Sequence, residues 1–196
     1  MKSICVFCGS NPGRDPSYLR ATEELGQTLA GSGIHVVYGG AQVGTMGRLA
    51  DSVLEAGGTV TGVITQQLVD VEIAHPGLTQ LEVVGSMHER KARMAELSDG
   101  FIALPGGVGT LEEFAEALTW SQLGIHAKPT GLLNVNGFYD PLLAFFDLAT
   151  DRGFIREEHR GLVLAEPAID ALLAAMRAWT PRAVPKWVDP VDPPVI

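Results

Sequence analysis

The sequence predicts an α/β fold in which a doubly wound, mostly parallel β-sheet carries helices on both faces. Short apolar runs alternate with segments of helical periodicity along the chain. The runs lack polar alternation, as expected for parallel strands buried on both faces. Three of them end in glycine turns, at Gly9, Gly39-Gly40 and Gly106-Gly107. Because ligands bind at the carboxyl ends of strands in such sheets, the turns predict a nucleotide-sized ligand approached by backbone, although turn geometry alone is the alternative.

The predicted elements follow from where each periodicity begins and ends. The predicted strands cover residues 3–8, 34–38, 59–64, 81–84, 101–104, 131–135 and 162–165. The predicted helices cover residues 16–30, 44–56, 86–98, 139–152 and 167–179, and another follows residues 106–107 and runs to residue 123. Residues 66–79 are predicted to form an irregular active-site loop that carries Glu72. We expect a single domain over residues 1–180 and a Pro-rich tail, extended or disordered, over 181–196.

Composition and charge exclude two classes of partner. The chain has 196 residues and a net charge of −9, with no Lys/Arg run, so it lacks the basic footprint that binds a nucleic-acid backbone. No apolar run reaches membrane-spanning length, and the N-terminus enters a strand without a signal-peptide pattern. We therefore expect no nucleic acid, no membrane partner and a cytoplasmic location. Cys5 and Cys8 are predicted on opposite faces of a strand, which favours core packing over a redox or metal role.

Residues 101–113, FIALPGGVGTLEE, predict a strand, a glycine turn and a helix. The start of that helix offers unpaired N–H groups and the positive end of a dipole, which suit a phosphate. The pattern is not a P-loop, because the GK[ST] ending is absent, and it is not the GxGxxG dinucleotide fingerprint. Thr110 and Glu113 also fit a capping box, so Glu113 is either a reactive carboxylate or a cap of its own helix.

Two consecutive cations, Arg90 and Lys91, flank the predicted buried stripe of the helix over residues 86–98. Because an unpaired buried charge is unfavourable, they need a partner, and a bound anion or a carboxylate such as Glu113 would serve. The alternative is that their alkyl stems follow the apolar margin while the charges reach water.

The helix after the glycine turn carries large apolar residues on two sides. Leu111, Phe114 and Leu118 form one predicted core face. The opposite side is formed by Glu113, Ala117 and Trp120. Because that side carries a Trp, we expect a second subunit to cover it, which predicts a homodimer.

Residues 87–91, MHERK, and residues 105–113, PGGVGTLEE, resemble the Lonely guy family of cytokinin riboside 5′-monophosphate phosphoribohydrolases, often mislabelled as lysine decarboxylases. The resemblance covers about residues 1–165, from CVFCGS at Cys5 through TWSQLGIHAKP at 119–129 and GLLNVNGFYDPLL at 131–143. It implies a Rossmann-like homodimeric hydrolase without a cofactor. The implied reaction cleaves the N-glycosidic bond of purine nucleoside 5′-monophosphates, with adenine or N6-substituted adenine as the base, and releases ribose 5-phosphate.

By this resemblance, Arg90 and Glu113 are the catalytic pair. The implied substrate contacts are Glu72, Lys91, Gly106, Gly107, Val108, Gly109, Thr110 and Thr119. Val108 stands where many relatives have Tyr. The residue chemistry agrees, because an oxocarbenium-like ribosyl cation needs a nearby negative charge, an activated water and an anchor for the remaining substrate. Arg90 could orient Glu113, bind phosphate or ribose, or assist departure of the base.

Two other functions compete with this one. The first is a non-catalytic nucleotide-binding or carrier protein of the same Rossmann-like fold. The second is a pyridoxal-phosphate decarboxylase, which needs a Schiff-base lysine, and Lys91 and Lys128 are the internal lysines. The five histidines lack metal-ligand spacing, so no metal is expected.

Overall fold

The computed structural model describes residues 1–71 and 73–180. Seven strands form its sheet: β1 (Ser3–Phe7), β2 (His35–Tyr38), β3 (Val60–Thr65), β4 (Gln80–Val84), β5 (Phe101–Ala103), β6 (Thr130–Leu133) and β7 (Val163–Glu166). Their spatial order is β4-β3-β2-β1-β5-β6-β7, and every neighbouring pair is parallel. Glu72 and the predicted tail over residues 181–196 lie outside the described residues.

Eight α-helices connect the strands: α1 (Pro16–Gly31), α2 (Gly44–Glu55), α3 (Gln66–Asp70), α4 (Met87–Glu96), α5 (Val108–Gln122), α6 (Asp140–Asp151), α7 (Glu157–Arg160) and α8 (Ile169–Ala178), all within the described ranges. Helices α1, α2 and α8 pack on one face of the sheet, and α4, α5 and α6 pack on the other. The predicted doubly wound fold is confirmed. No helix among the described residues has the length and apolar character that a membrane crossing requires.

Two cores result from this layering, and the two cysteines lie in different ones. Cys5 belongs to the core under α4, α5 and α6, and Cys8 belongs to the core under α1, α2 and α8. Both thiols are free and buried. Their predicted placement on opposite faces is confirmed, and it follows from the alternation of side chains along an extended chain.

The sheet reverses its winding direction between β1 and β5. From β1 the chain adds strands outward to β4, and it then returns to place β5 on the other side of β1. The connection after β1 therefore leads to α1 on one face, and the connection after β5 leads to α5 on the opposite face. The two loops diverge and open a crevice at the carboxyl ends of these strands, which is where ligands bind in open α/β sheets.

The structure adds detail where the sequence predicts only a loop. The short helix α3 occupies the start of the predicted irregular segment over residues 66–79. The remainder is tied back to the sheet, because Gln42 N–H donates to the Ile73 carbonyl and His75 N–H donates to the Gly40 carbonyl, each at 2.9 Å. The loop therefore lies against the turn that follows β2.

Candidate active site

A cavity of about 390 Å³ opens at the crevice between β1 and β5. Its size falls within the range of small-molecule sites. Its walls come from the turn after β1, the end of β2, α2, α4 and the start of α5: residues 8–11, Gly39, Met46, Arg90, residues 107–110 and Glu113. Elements that are far apart in sequence thus converge on one site.

The start of α5 forms one wall and has no side-chain cap. Gly107 is the N-cap residue, with an extended backbone (φ −93°, ψ −157°), and no side chain caps the helix. Val108 and Gly109 follow in the first turn and are exposed toward the cavity, whereas Thr110 is 3% exposed. Because the first N–H groups of a helix lack intrahelical partners, this wall offers donors and the positive dipole end to an anion.

Glu113 and Arg90 meet at the floor of the cavity. Arg90 Nη1 donates to Glu113 Oε1 at 3.1 Å, and the two side chains are 9% and 11% exposed. Arg90 is held in place by two further contacts, from Nε to the Val63 carbonyl at 3.0 Å and from Nη1 to the sulfur of Met87 at 3.1 Å. The predicted proximity of a buried cation and Glu113 is confirmed, and the alternative in which Arg90 reaches water is wrong.

Glu113 is not the cap of its own helix. Its carboxylate accepts from Arg90, and the N-cap of the helix is Gly107, three residues before Thr110. The capping-box interpretation is therefore wrong. Burial is the largest influence on the pKa of Glu113 and raises it, and the charge of Arg90 opposes this without reversing it. A carboxylate with a raised pKa is poised to accept a proton from water.

The cavity also contains a thiol, but its protonation state argues against nucleophilic chemistry. Cys8 lines the cavity, and burial raises its pKa to about 12. Because the thiolate is the reactive form, Cys8 is inert at neutral pH. Glu113 is therefore the cavity's candidate for general-base chemistry.

Gly39 makes room for Arg90. A β-carbon at this position would lie 1.9 Å from Arg90 Nη2 and 2.6 Å from the terminal methyl carbon of Met46. The sequence indicates a glycine turn here, but its partner lies 51 positions along the chain, so the local pattern gives no sign of this collision. Gly106 has a similar role within its own turn, because a β-carbon there would lie 2.2 Å from Thr110 Oγ1.

The turn after β1 supplies a second backbone wall, whose residues the sequence analysis does not assign to the site. Thr45 at the start of α2 holds this turn, because its hydroxyl donates to the Gly9 carbonyl and accepts from the Gly9 N–H, each at 2.9 Å. Ser10 and Asn11 then line the cavity. The signal for them was the glycine turn at Gly9, which the sequence does indicate.

The predicted substrate contacts do not all reach this cavity. Lys91 turns away from it and pairs with Glu112 and Glu116 of α5. Thr119 is exposed on α5 three turns beyond the helix start, outside the lining that the described residues form. Residues 107–110 form a backbone wall that we call the cradle, and Gly106 lies just before it and faces a neighbouring pocket. The residues at 107–110, by contrast, line the cavity as expected.

The predicted faces of α5 are wrong in part. Leu111, assigned to the core, is 42% exposed, while Ala117, assigned to a subunit interface, is 4% exposed within its own chain. Phe7 and Phe101 cover that side, and Trp120 is half-buried beside them. The same chain therefore covers Ala117 on this side, whereas Trp120 is covered in part and Leu123 is 42% exposed.

Comparison with known proteins shows which family the chain belongs to. A family model described as "Possible lysine decarboxylase" matches residues 46–176. A cytokinin riboside 5′-monophosphate phosphoribohydrolase from Rhodococcoides fascians is 52% identical over 178 residues, which are 90% of this chain and 90% of that protein. The chain belongs to the family of cytokinin riboside 5′-monophosphate phosphoribohydrolases. Another relative of the same name, from Oryza sativa subsp. japonica, is 48% identical over 92% of this chain and 75% of that protein.

The predicted family resemblance is thereby confirmed, and the relatives carry the name of a hydrolase rather than of a decarboxylase. Among solved structures, the molybdenum cofactor binding protein from Rippkaea orientalis matches with a TM-score of 0.68 at 24% identity. The match covers 91% of this chain and 97% of that chain. At this level of identity the likeness concerns the fold.

Proposed function

We propose that the chain hydrolyses the N-glycosidic bond of purine nucleoside 5′-monophosphates, in which the base is adenine or an N6-substituted adenine, as a cytokinin-activating enzyme does. The observation that carries this proposal is the buried Arg90–Glu113 pair at the floor of a cavity whose wall is the uncapped start of α5. Membership of a family whose relatives are named phosphoribohydrolases supports the same reaction.

In the proposed reaction, the 5′-phosphate binds the N–H groups of residues 107–110, and the ribose extends toward Glu113. Water forms a bond to C1′ as the bond from C1′ to the purine nitrogen breaks. The bonding electrons leave with the base, and the proton that water loses ends on the base. Glu113 stabilises the ribosyl cation and accepts the proton from water, and it returns to the carboxylate when that proton passes to the base. Arg90 holds the carboxylate toward the reacting carbon.

Remote binding of the phosphate also contributes to the rate. The cradle does not touch the reacting bond, but its binding energy can be used to hold the ribose in the reactive position. Glu72 and Thr119 stay predictions that rest on the family resemblance.

The test compares AMP with adenosine. We expect kcat/KM for AMP to exceed that for adenosine by on the order of 100-fold, because several charge-assisted contacts to the phosphate act together. Chromatography should show adenine and ribose 5-phosphate in equal amounts. Equal kcat/KM for the two substrates would contradict the phosphate cradle, and tight AMP binding without adenine release would favour the non-catalytic carrier.

The lysines do not favour the decarboxylase alternative. Lys91 pairs with two carboxylates, and the ammonium of Lys128 donates to the Ala95 carbonyl at 2.6 Å. Neither belongs to the lining of the cavity as the described residues form it. A Schiff-base lysine would have to present its amine to a bound carbonyl.

We also propose that the chain forms a homodimer, through a surface other than the side of α5 that the sequence analysis predicts. The exposed aromatic and aliphatic side chains of α6 and the segment after it are Phe145 (58%), Leu148 (53%) and Phe154 (88%). Such side chains favour burial against another apolar surface. Light scattering should show a dimer that Phe145→Ser with Leu148→Ser dissociates, while Val83→Ser on β4 leaves it intact.

A further inference from the structure

We propose that Lys91 is a positioning residue of the active site: it fixes α5 against α4 through Glu112 and Glu116, so that Glu113 meets Arg90. The inference rests on the proposed function. It departs from the family resemblance, which implies that Lys91 contacts the substrate.

The first observation is the direction of the ammonium group. Lys91 Nζ donates to Glu116 Oε1 at 3.1 Å and to a carboxylate oxygen of Glu112. The lysine side chain is 8% exposed, and Arg90, the next residue on the helix, instead reaches the cavity. Arg90 and Lys91 thus point in different directions, one into the cavity and the other to the carboxylates of α5, because successive residues on a helix are separated by about 100°.

The space beside the ammonium is too small for a substrate. Lys91 lies next to a void of about 10 Å³ that is lined by Phe7, Ala95, Phe101 and Trp120, with Glu113 and Glu116 at its edge. A void of this size holds about one water molecule. A phosphate or ribose therefore does not fit into this void beside the ammonium.

The second observation is the arrangement of carboxylates on α5. Glu112 and Glu116 are four residues apart and share one side of the helix, and Glu113 is the next residue on its surface. Because Lys91 holds two points on that side, it resists rotation of α5 about its own axis. Such a rotation would carry Glu113 away from Arg90, and small displacements of a catalytic group reduce rates strongly.

The charges support the same role. Burial tends to lower the pKa of Lys91, but the two carboxylates outweigh it and the net pKa is raised, so the lysine is charged. The charge of Lys91 also lowers the pKa of Glu113, whereas Glu112 raises it. Removal of the lysine would leave three carboxylates close together with Arg90 as their remaining nearby cation among the described residues.

The primary test is Lys91→Met, which keeps most of the apolar stem. We expect kcat for AMP to fall about 10-fold or more through misplacement of Glu113. The inhibition constant of ribose 5-phosphate should change less than about 2-fold, because the cradle is intact. We also expect the acidic limb of the kcat/KM profile to move to higher pH, because Glu113 loses a nearby cation. An inhibition constant at least about 10-fold weaker with kcat unchanged would show a substrate contact and overturn the proposal.

The matched control is Arg93→Met, which removes one positive charge from the same helix. Arg93 also pairs with two carboxylates, Glu82 at 2.7 Å and Glu96 at 3.1 Å, but its side chain is 40% exposed. We expect its kcat, KM and pH profile to match those of the unchanged protein. An equal loss of kcat in this control would attribute the effect to net charge and overturn the proposal.

A charge exchange separates positioning from substrate binding. Lys91→Glu should abolish most activity, and Lys91→Glu with Glu116→Lys should regain at least about 10-fold in kcat because the inter-helix ion pair is restored. If Lys91 binds phosphate, the exchange instead leaves a carboxylate facing the substrate, and activity stays lost. A double exchange that folds and regains nothing therefore overturns the proposal.

A readout that does not depend on catalysis distinguishes failure of this inference from failure of the proposed function. Urea unfolding of Lys91→Met, Glu116→Gln and the double variant should show strong coupling between the two residues. Absence of AMP cleavage by the unchanged protein would defeat the proposed function, and additive unfolding effects would defeat the inference.

Discussion

Helices α4 and α5 pack on the same face of the sheet and are linked by ion pairs. Both carry the pattern Ser/Thr-x-x-Glu near their start, yet they use it differently. In α4 the pattern closes the helix start. Ser86 Oγ accepts from the Glu89 N–H at 3.2 Å, and Glu89 Oε2 accepts from the Gly85 N–H at 2.8 Å. These two contacts satisfy backbone donors at the helix start, which is the usual role of a capping box.

In α5 the same pattern lies inside the helix and leaves the helix start open. The N-cap is Gly107, which contributes no side chain, and Glu113 is turned to Arg90 on α4. The contrast shows that an uncapped helix start next to a cavity is available to a ligand, whereas a capped start contributes to stability. It also shows that the position of the true N-cap decides what a capping motif does.

The largest effect is expected from Glu113→Gln. The change keeps the size of the side chain but removes the charge that stabilises the ribosyl cation, so kcat should fall on the order of 100-fold or more. Arg90→Ala should also lose activity, and the double variant should fall less than the product of the two losses, because the residues act as a unit. AMP binding, measured by calorimetry, should survive in Glu113→Gln.

The stability of Glu113→Gln distinguishes catalysis from capping. Because burial raises the folded-state pKa of Glu113, its contribution to stability is present below the unfolded pKa of about 4.3 and is lost as pH rises through the folded value. A neutral Gln removes this buried charge but also leaves Arg90 without its carboxylate partner, so the two effects oppose each other and the melting temperature at pH 7 should change little. Because the pKa of Glu113 is raised, kcat/KM of the unchanged protein should fall with acid at a pH above the ordinary carboxyl range. Near-normal kcat with a lowered melting temperature would contradict this assignment.

How far the sequence predicts this site depends on whether the determining contacts are local. The strand–helix alternation and the nearby cation for Glu113 follow from periodicity, which is a property of short windows. The order of the strands and the exposed position of Leu111 do not follow, because they depend on which elements pack together. The direction of the Lys91 side chain does not follow from the sequence either. Arg90 and Lys91 flank the same buried stripe of α4, and their contacts with α5 decide where each side chain points.

The second prediction concerns Gly107→Asp, which would give α5 a side-chain cap like that of α4. Gly107 has an ordinary φ of −93°, and a β-carbon there would meet nothing within 4 Å, so Gly107→Asp fits the backbone. A capping carboxylate should stabilise the fold by about 0.3–1 kcal/mol. It should also raise KM for AMP by about 10-fold or more, because it occupies the anion position and repels phosphate. Gly107→Ala adds the same β-carbon without charge and should retain AMP binding, and a normal KM in Gly107→Asp would place the phosphate elsewhere.

The third prediction concerns the space that Arg90 occupies. Gly39→Ala places a β-carbon 1.9 Å from Arg90 Nη2, which is the movable end of a long side chain. The guanidinium should therefore shift and lose its contact with Glu113. We expect kcat to fall about 10-fold and the free energy of unfolding to fall by about 1–3 kcal/mol. Gly31→Ala, at the end of α1, has nothing within 4 Å of its new β-carbon and serves as the control with unchanged kcat. Equal kcat values in the two variants would contradict the role of Gly39.

The smallest effect is expected from Ser86→Ala, which removes the cap of α4 and leaves the open start of α5 untouched. Loss of a serine N-cap lowers the free energy of unfolding by about 1 kcal/mol, and urea unfolding measures that change directly. Met87 follows Ser86 and contacts Arg90, but Arg90 is also held by the Val63 carbonyl and by Glu113, so its position should survive fraying of the first turn. We therefore expect kcat and KM for AMP to change less than about 2-fold. A large loss of kcat in Ser86→Ala would mean that the cap of α4 positions Arg90, and the two helix starts would then share one function.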